Sequence, residues 1–127
     1  MIVLDASAAV AALLRDGSAR QAVASEQLHV PHLVDAEVAQ ALRRLVAAGR
    51  LSAHDGEGLL TTWSALALVR HPVQALLPRI WALRENVSAY EATYVALAEA
   101  LGCALLTADA RLARAPGATC PVTVVSS

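Results

Sequence analysis

The sequence has no phenylalanine and no lysine, only two cysteines, and 3% aromatic residues across its 127 positions. Without phenylalanine the core must come from leucine, valine and close packing of alanine-rich helices. The ten cations are all arginines, set against eleven acids for a formal net charge of −1. That balance offers no basic footprint of the kind nucleic-acid binders advertise, unless the arginines gather on one side. Arginine suits phosphate recognition through its planar fork of donors, but a general compositional bias explains the preference as simply. Cys103 and Cys120 form no C-x-x-C pair, and Cys103 borders an aliphatic run, so reduced thiols in a cytoplasmic chain are expected. No apolar run approaches the roughly 18 residues of a membrane span. The opening "MIVLDASAAV" has no basic segment and carries Asp5 inside its apolar stretch, so it does not read as a signal peptide.

What is present is a 57% hydrophobic chain long enough for one domain, taken as residues 1–127. "MIVLD" reads as a buried strand ending at an aspartate, and "SAAVAALL" as a helix stopped by Asp16 and Gly17. Ser18 is expected to cap a second short helix, and "LHVP" to form the next strand, ended by Pro31. Val34, Val38, Ala41, Leu42 and Leu45 recur at helical spacing before Gly49. Ser52 opens a further helix, "ALALV" suggests a strand, and Pro78 disturbs or starts a helix within residues 73–84. In "SAYEATYVALAEALG", Ser88 and Glu91 have capping-box spacing, with Tyr90, Tyr94, Leu97 and Leu101 as the expected buried stripe. "CALLT" and "PVTVV" complete the strands. Strands alternating with helices predict an α/β sandwich around a mostly parallel sheet, whose ligand site lies beyond the carboxyl ends of its strands.

Asp5 and Asp109 stand at two such ends. Each also suits a helix N-cap. Glu37 lies on the flank of the Val34–Val38–Leu42 stripe, and Glu91 in a first helical turn, where an acid complements the helix dipole. Should all four meet, carboxylates about 5 Å apart repel by roughly 3 kcal/mol at an effective dielectric near 20. Such a cluster either takes up protons or holds cations. Oxygen-only donors favour Mg²⁺ or Mn²⁺ over zinc, and these ions serve phosphodiester hydrolysis. An aspartyl-phosphate hydrolase with Asp5 as nucleophile wants a second aspartate two positions on, where Ser7 stands, and a lysine. A phosphoryl-accepting receiver domain wants the same missing lysine.

The segments "MIVLDASAAVAALL", "PHLVDAEVAQAL", "SAYEATYVALAEALGCALLTADARLARA" and "VTVV" resemble the PIN-domain ribonucleases. Among these they look most like the VapC-type toxins of bacterial toxin–antitoxin pairs, in order and over nearly the whole chain. The resemblance implies a PIN-like three-layer α/β sandwich, with a mostly parallel sheet of four to five strands flanked by helices. It implies an Mg²⁺- or Mn²⁺-dependent endoribonuclease cutting cellular RNA (tRNA, rRNA or mRNA), a cognate VapB-type antitoxin and a homodimer; the lack of a long apolar run is what argues for no membrane partner. Carried over, Asp5, Glu37, Glu91 and Asp109 are the catalytic metal-binding acids, while the Ser7 and Thr107 hydroxyls line the same site. Arg15, Arg84 and Arg111 are candidates to steer phosphate.

One departure is visible. These toxins usually carry aspartate in "AYDA", and this chain has "AYEA". The added methylene moves the carboxylate by roughly 1.5 Å, which matters to an ion demanding octahedral geometry at about 2.1 Å. Water-mediated ligation or a preference for Mn²⁺ follows from such a shift, and a catalytically weak PIN-like binding module is the alternative reading. Elsewhere, His29 and His32 in "HVPH" have metal-like spacing but no second ligand pair, and His54 and His71 are expected in solvent. Trp63 and Trp81 read as packing anchors, and Tyr90 with Tyr94 as an i,i+4 packing pair.

Overall fold

The computed structural model describes residues 1–126. Three segments open the chain: strand β1 (Ile2–Leu4), helix α1 (Ala6–Leu14) and helix α2 (Ser18–Ser25). Strand β2 (Leu28–Pro31), helices α3 (Leu33–Ala47) and α4 (Ala53–Ala65) and strand β3 (Leu68–His71) follow. A 3₁₀ turn at Gln74–Leu76 leads into α5 (Leu77–Ala82), then α6 (Ala89–Leu101), β4 (Ala104–Thr107), α7 (Ala110–Arg114) and β5 (Val122–Val124).

All strand pairs are parallel, in the order β3-β2-β1-β4-β5. The chain winds outward from β1 to β3, then returns to the other side of β1 for β4 and β5. That reversal makes the carboxyl ends of β1 and β4 the switch point where open parallel sheets hold ligands. Leu4 lies opposite Leu106, and the Asp5 N–H donates to the Leu106 carbonyl at 3.1 Å. The residues after β1 and β4 are thereby held level with each other.

Layering follows from where the apolar surface sits. β1 and β2 are buried throughout, as expected for strands covered on both faces. α1 and α3 pack together beneath α4, while α6, with α5 beside it, covers β1, β2 and β4. Every residue from Ala92 to Ala98 in α6 is buried. Alanines 92, 96 and 98 allow this by removing the bulk that would hold neighbours away. Each larger core side chain, such as Leu4, Val30 or Leu105, contributes about 1.5–3 kcal/mol through burial.

Several sequence expectations are corrected here. Ser18 is the first helical residue of α2 rather than its cap; Gly17 takes the cap position, and its carbonyl accepts from Gln21 N–H at 3.0 Å. The buried stripe on α6 does not include Tyr90, which is 61% exposed, because the helix is enclosed through its middle rather than along one seam. Tyr90 and Tyr94 line the same pocket, Tyr90 exposed and Tyr94 buried. The third strand begins at Leu68, three residues later than "ALALV" suggests, because α4 continues to Ala65. Trp63 is buried, whereas Trp81 is exposed and stacks beneath the Arg84 guanidinium at 4.9 Å.

The polar ends of β3 find partners across the sheet. Arg70 makes a two-pronged ion pair with Asp35, whose Oδ1 also accepts from the Trp63 indole at 2.8 Å. His71 is half-buried, not solvated: its Nε2 lies 2.8 Å from Nδ1 of buried His29. His29 Nε2 donates to the Gln27 side-chain oxygen Oε1 at 3.1 Å, so its Nδ1 accepts from His71. Burial and the neighbouring His71 hold His29 below the ordinary histidine pKa. His29 therefore partners His71, not His32.

Candidate active site

Asp5 leaves β1 with its backbone tied to β4 and its side chain capping α1, where Oδ1 accepts from Ala8 N–H at 2.9 Å. The Ser7 hydroxyl donates to the same oxygen at 2.7 Å and accepts from Ala108 N–H at 2.9 Å. Ser7 also lies 3.2 Å from the hydroxyl of fully buried Thr107, which accepts from Asp109 N–H at 3.0 Å. Two hydroxyls thus stitch the β1–α1 turn to the β4–α7 turn. Burial pushes the Asp5 carboxyl above the usual aspartate range and the Asp109 charge adds to this, against the nearby Thr107 hydroxyl and the hydrogen bonds from Ala8 and Ser7.

Glu37 reaches the same place from the second turn of α3. The Tyr94 hydroxyl on α6 donates to its Oε1. Burial raises the Tyr94 pKa far above its ordinary value, reinforced by Glu37, so the phenol stays a donor. Glu91 comes from the first turn of α6. Both arms of its capping box form: Ser88 N–H donates to Glu91 Oε1, and Glu91 N–H to Ser88 Oγ, each at 3.1 Å. Only Oε1 is used this way. Asp109 caps α7 through Arg111 N–H at 2.9 Å and pairs with the Arg111 side chain at 2.8 Å. That guanidinium holds the Asp109 carboxyl below its usual range.

Asp5, Ser7, Glu37, Tyr94, Glu91 and Asp109 all line one pocket of about 160 Å³. Two strand ends and two helices bring the four acids together. Thr107 lies beneath, joined to the wall through Ser7. Among the described residues, however, no three Asp, Glu, His or Cys side chains stand close enough to hold an ion as they are turned. Each acid is engaged: Asp5 by Ser7 and Ala8, Glu37 by Tyr94, Glu91 by its cap and Asp109 by Arg111. Four carboxylates at one pocket fit a hard divalent cation in the chemistry of their donors.

Of the arginines singled out from sequence, Arg111 does not line the pocket and meets it only through its pair with Asp109. Arg84 hydrogen-bonds the Trp81 carbonyl at 3.1 Å, and Arg15 caps the far end of α1. Two residues were missed. Tyr94 carries no local signal for a contact with Glu37, 57 positions away. Arg44 lines the larger groove beside the pocket. It lies seven residues after Glu37, two helical turns along the same face, and that spacing was the signal.

A family model described as "PIN domain" matches residues 2–118. This chain belongs to the PIN-domain family. Within it the chain is of the VapC type: ribonuclease VapC9 of Mycobacterium tuberculosis is 62% identical over 125 residues, which cover 98% of both chains. VapC ribonuclease Mb0985 of Mycobacterium bovis matches to the same degree. Ribonuclease VapC1 of M. tuberculosis is 41% identical over 97% of this chain and 96% of its own.

Solved structures agree on the PIN-domain fold. PAE2754 from Pyrobaculum aerophilum superposes with a TM-score of 0.72 at 22% identity, over 95% of this chain and 81% of that one. M. tuberculosis VapC20, described as a sarcin-ricin loop cleaving toxin, gives 0.67 at 17% identity, over 90% and 94%. The expected sandwich is thus observed in this VapC-type chain, with a fully parallel sheet of five strands. Among the described residues no helix is long and apolar enough to cross a membrane.

Proposed function

We propose that this protein is an endoribonuclease, the toxin of a VapBC-type pair, dependent on Mg²⁺ or Mn²⁺ for hydrolysis of phosphodiester bonds in cellular RNA. The observation that carries this is the meeting of Asp5, Glu37, Glu91 and Asp109 in one pocket at the switch point of the sheet. The names of the 62% and 41% identical relatives support it. Asp5, Glu91 and Asp109 would hold the cation, with Glu37 as a further ligand or the residue that places the attacking water. When bound, such an ion neutralises charge developing on the cleaved phosphate and lowers the pKa of a water nucleophile.

The remaining work falls to the chain. Ser7 and Ala8 N–H fix one oxygen of Asp5. Tyr94 holds one oxygen of Glu37 and leaves the other to accept a proton from water. Arg111, 80% exposed in its side chain, is free to swing from Asp109 toward an incoming phosphate. A cytoplasmic homodimer neutralised by a VapB-type antitoxin belongs to the same reading. The groove of about 770 Å³ between α1 and α3, walled by Ala6, Val10, Leu33 and Ala36, suits an apolar antitoxin segment.

Sequencing RNA 5′ ends after brief induction tests this directly, wild type against Asp5→Asn. New ends at defined positions are expected in the wild type alone; identical cuts in the variant would sink the mechanism. Calorimetric titration with Mn²⁺ separates the alternative. Arg111 seated on Asp109 favours a weak binding module, and no heat at millimolar Mn²⁺ together with no cuts would establish it.

A further inference from the structure

The acid pocket has an aromatic rim that the chemistry above does not use. Tyr90 and Tyr94 occupy successive turns at the start of α6, yet Tyr94 is 3% exposed and Tyr90 61%. Tyr94 forms part of the pocket floor through Glu37. Tyr90 lines both the acid pocket and the adjoining groove. Four residues are common to these two cavities, and of Ala6, Ser7, Glu37 and Tyr90 only the tyrosine presents an aromatic face.

Electrostatics makes that face significant. The charged groups around this face, the four carboxylates, Arg111 on Asp109 and Arg44 in the adjoining groove, act on the phosphate backbone and do not read the bases. Holding a base beside the site therefore calls for a contact that does not depend on charge. Stacking of a neutral base on an aromatic ring is such a contact, and it is open only to bases freed from a duplex.

We propose that Tyr90 is a substrate-positioning residue: its ring stacks on the base next to the scissile phosphate and selects RNA that is unpaired there. This rests on the nuclease reading above. The phenol hydroxyl is not required, and a purine with its larger face is held best.

The test uses the full chain with Mn²⁺ and a synthetic ribo-oligonucleotide spanning a cut mapped in the 5′-end experiment. Tyr90→Ala and Tyr90→Leu are expected to raise KM by about 5- to 150-fold, the range for loss of one base stack. Their kcat should stay within about twofold, and Tyr90→Phe should restore the wild-type KM. A second readout needs no cleavage. In an Asp5→Asn background, 2-aminopurine placed beside the scissile phosphate is expected to be quenched on binding with Tyr90 or Phe and not with Ala or Leu. Active wild type with unchanged KM in both Tyr90→Ala and Tyr90→Leu would overturn the inference while leaving the nuclease intact. So would Phe behaving like Ala, or a loss confined to kcat. An inactive wild type would instead overturn the nuclease reading itself.

Discussion

The Tyr94 hydroxyl donates to Glu37 Oε1, tying α6 to α3 across the carboxyl edge of the sheet. The bond joins two helices on opposite layers and fixes the rotamer of an acid at the pocket wall. Tyr94→Phe keeps the ring in its buried place and removes only the donor. Stability is expected to fall by about 1.5–3 kcal/mol, the range for a hydrogen bond to a charged group. Cleavage should drop about 10- to 100-fold, as for loss of a partner that orients a ligand carboxylate. Denaturant unfolding and single-turnover cleavage read the two effects separately.

Asp5→Asn should separate stability from function. Folding raises the Asp5 pKa, so the carboxyl's contribution is complete below its unfolded value near 3.8. It is lost as pH rises through the folded pKa. At pH 7 the asparagine variant is therefore expected to be at least as stable as the wild type, yet inactive. Millimolar Mn²⁺ should raise the wild-type melting temperature by about 5 °C or more and leave the variant unmoved, since a ligand stabilises only the state that binds it. Equal shifts in both proteins would contradict the assignment of Asp5.

Glu91 both closes a capping box and faces the pocket, and Glu91→Gln distinguishes the two. A glutamine oxygen still accepts from Ser88 N–H, so helix stability should change by less than about 0.5 kcal/mol. The charge is gone, so Mn²⁺ affinity by calorimetry should fall about tenfold or more. Undiminished affinity would assign Glu91 to capping alone.

The acid limb of unfolding reports on Glu99. Its oxygens accept from Arg79 at 2.7 and 3.0 Å and from Thr119 N–H and hydroxyl at 2.7 and 2.8 Å. Arg79 above all pulls its pKa down to about 2. A lowered pKa means stability that is full above the unfolded value near 4.5 and lost as pH falls toward 2. Glu99→Gln is expected to flatten that limb in pH-dependent urea unfolding and to cost about 1–3 kcal/mol at pH 7. An unchanged slope between pH 5 and 2.5 would refute the role.

Much of this arrangement could be read in the chain. The strand then acid pattern at Leu4–Asp5, the cap signals at Ser52 and Ser88, and the glycines at 49 and 102 act over one helical turn. Both glycines do take positive φ, 73° and 66°. Other features were not legible. In "VDAE", Asp35 and Glu37 stand two apart, and nothing local says that one clamps Arg70 and Trp63 while the other enters the pocket. His71 looked solvated until β2 and β3 paired and set it against His29.

By itself, then, the sequence determined most of the elements and the order of the acids, though not the start of α2 or of β3, because helical period, strand alternation and capping are short-range effects. Tertiary structure decided that β4 lies beside β1, that α6 is buried through its middle, and which groups occupy each carboxylate. Those outcomes depend on contacts between residues a hundred or more positions apart, such as Ser7 with Thr107, whose partners are chosen only when the sheet closes.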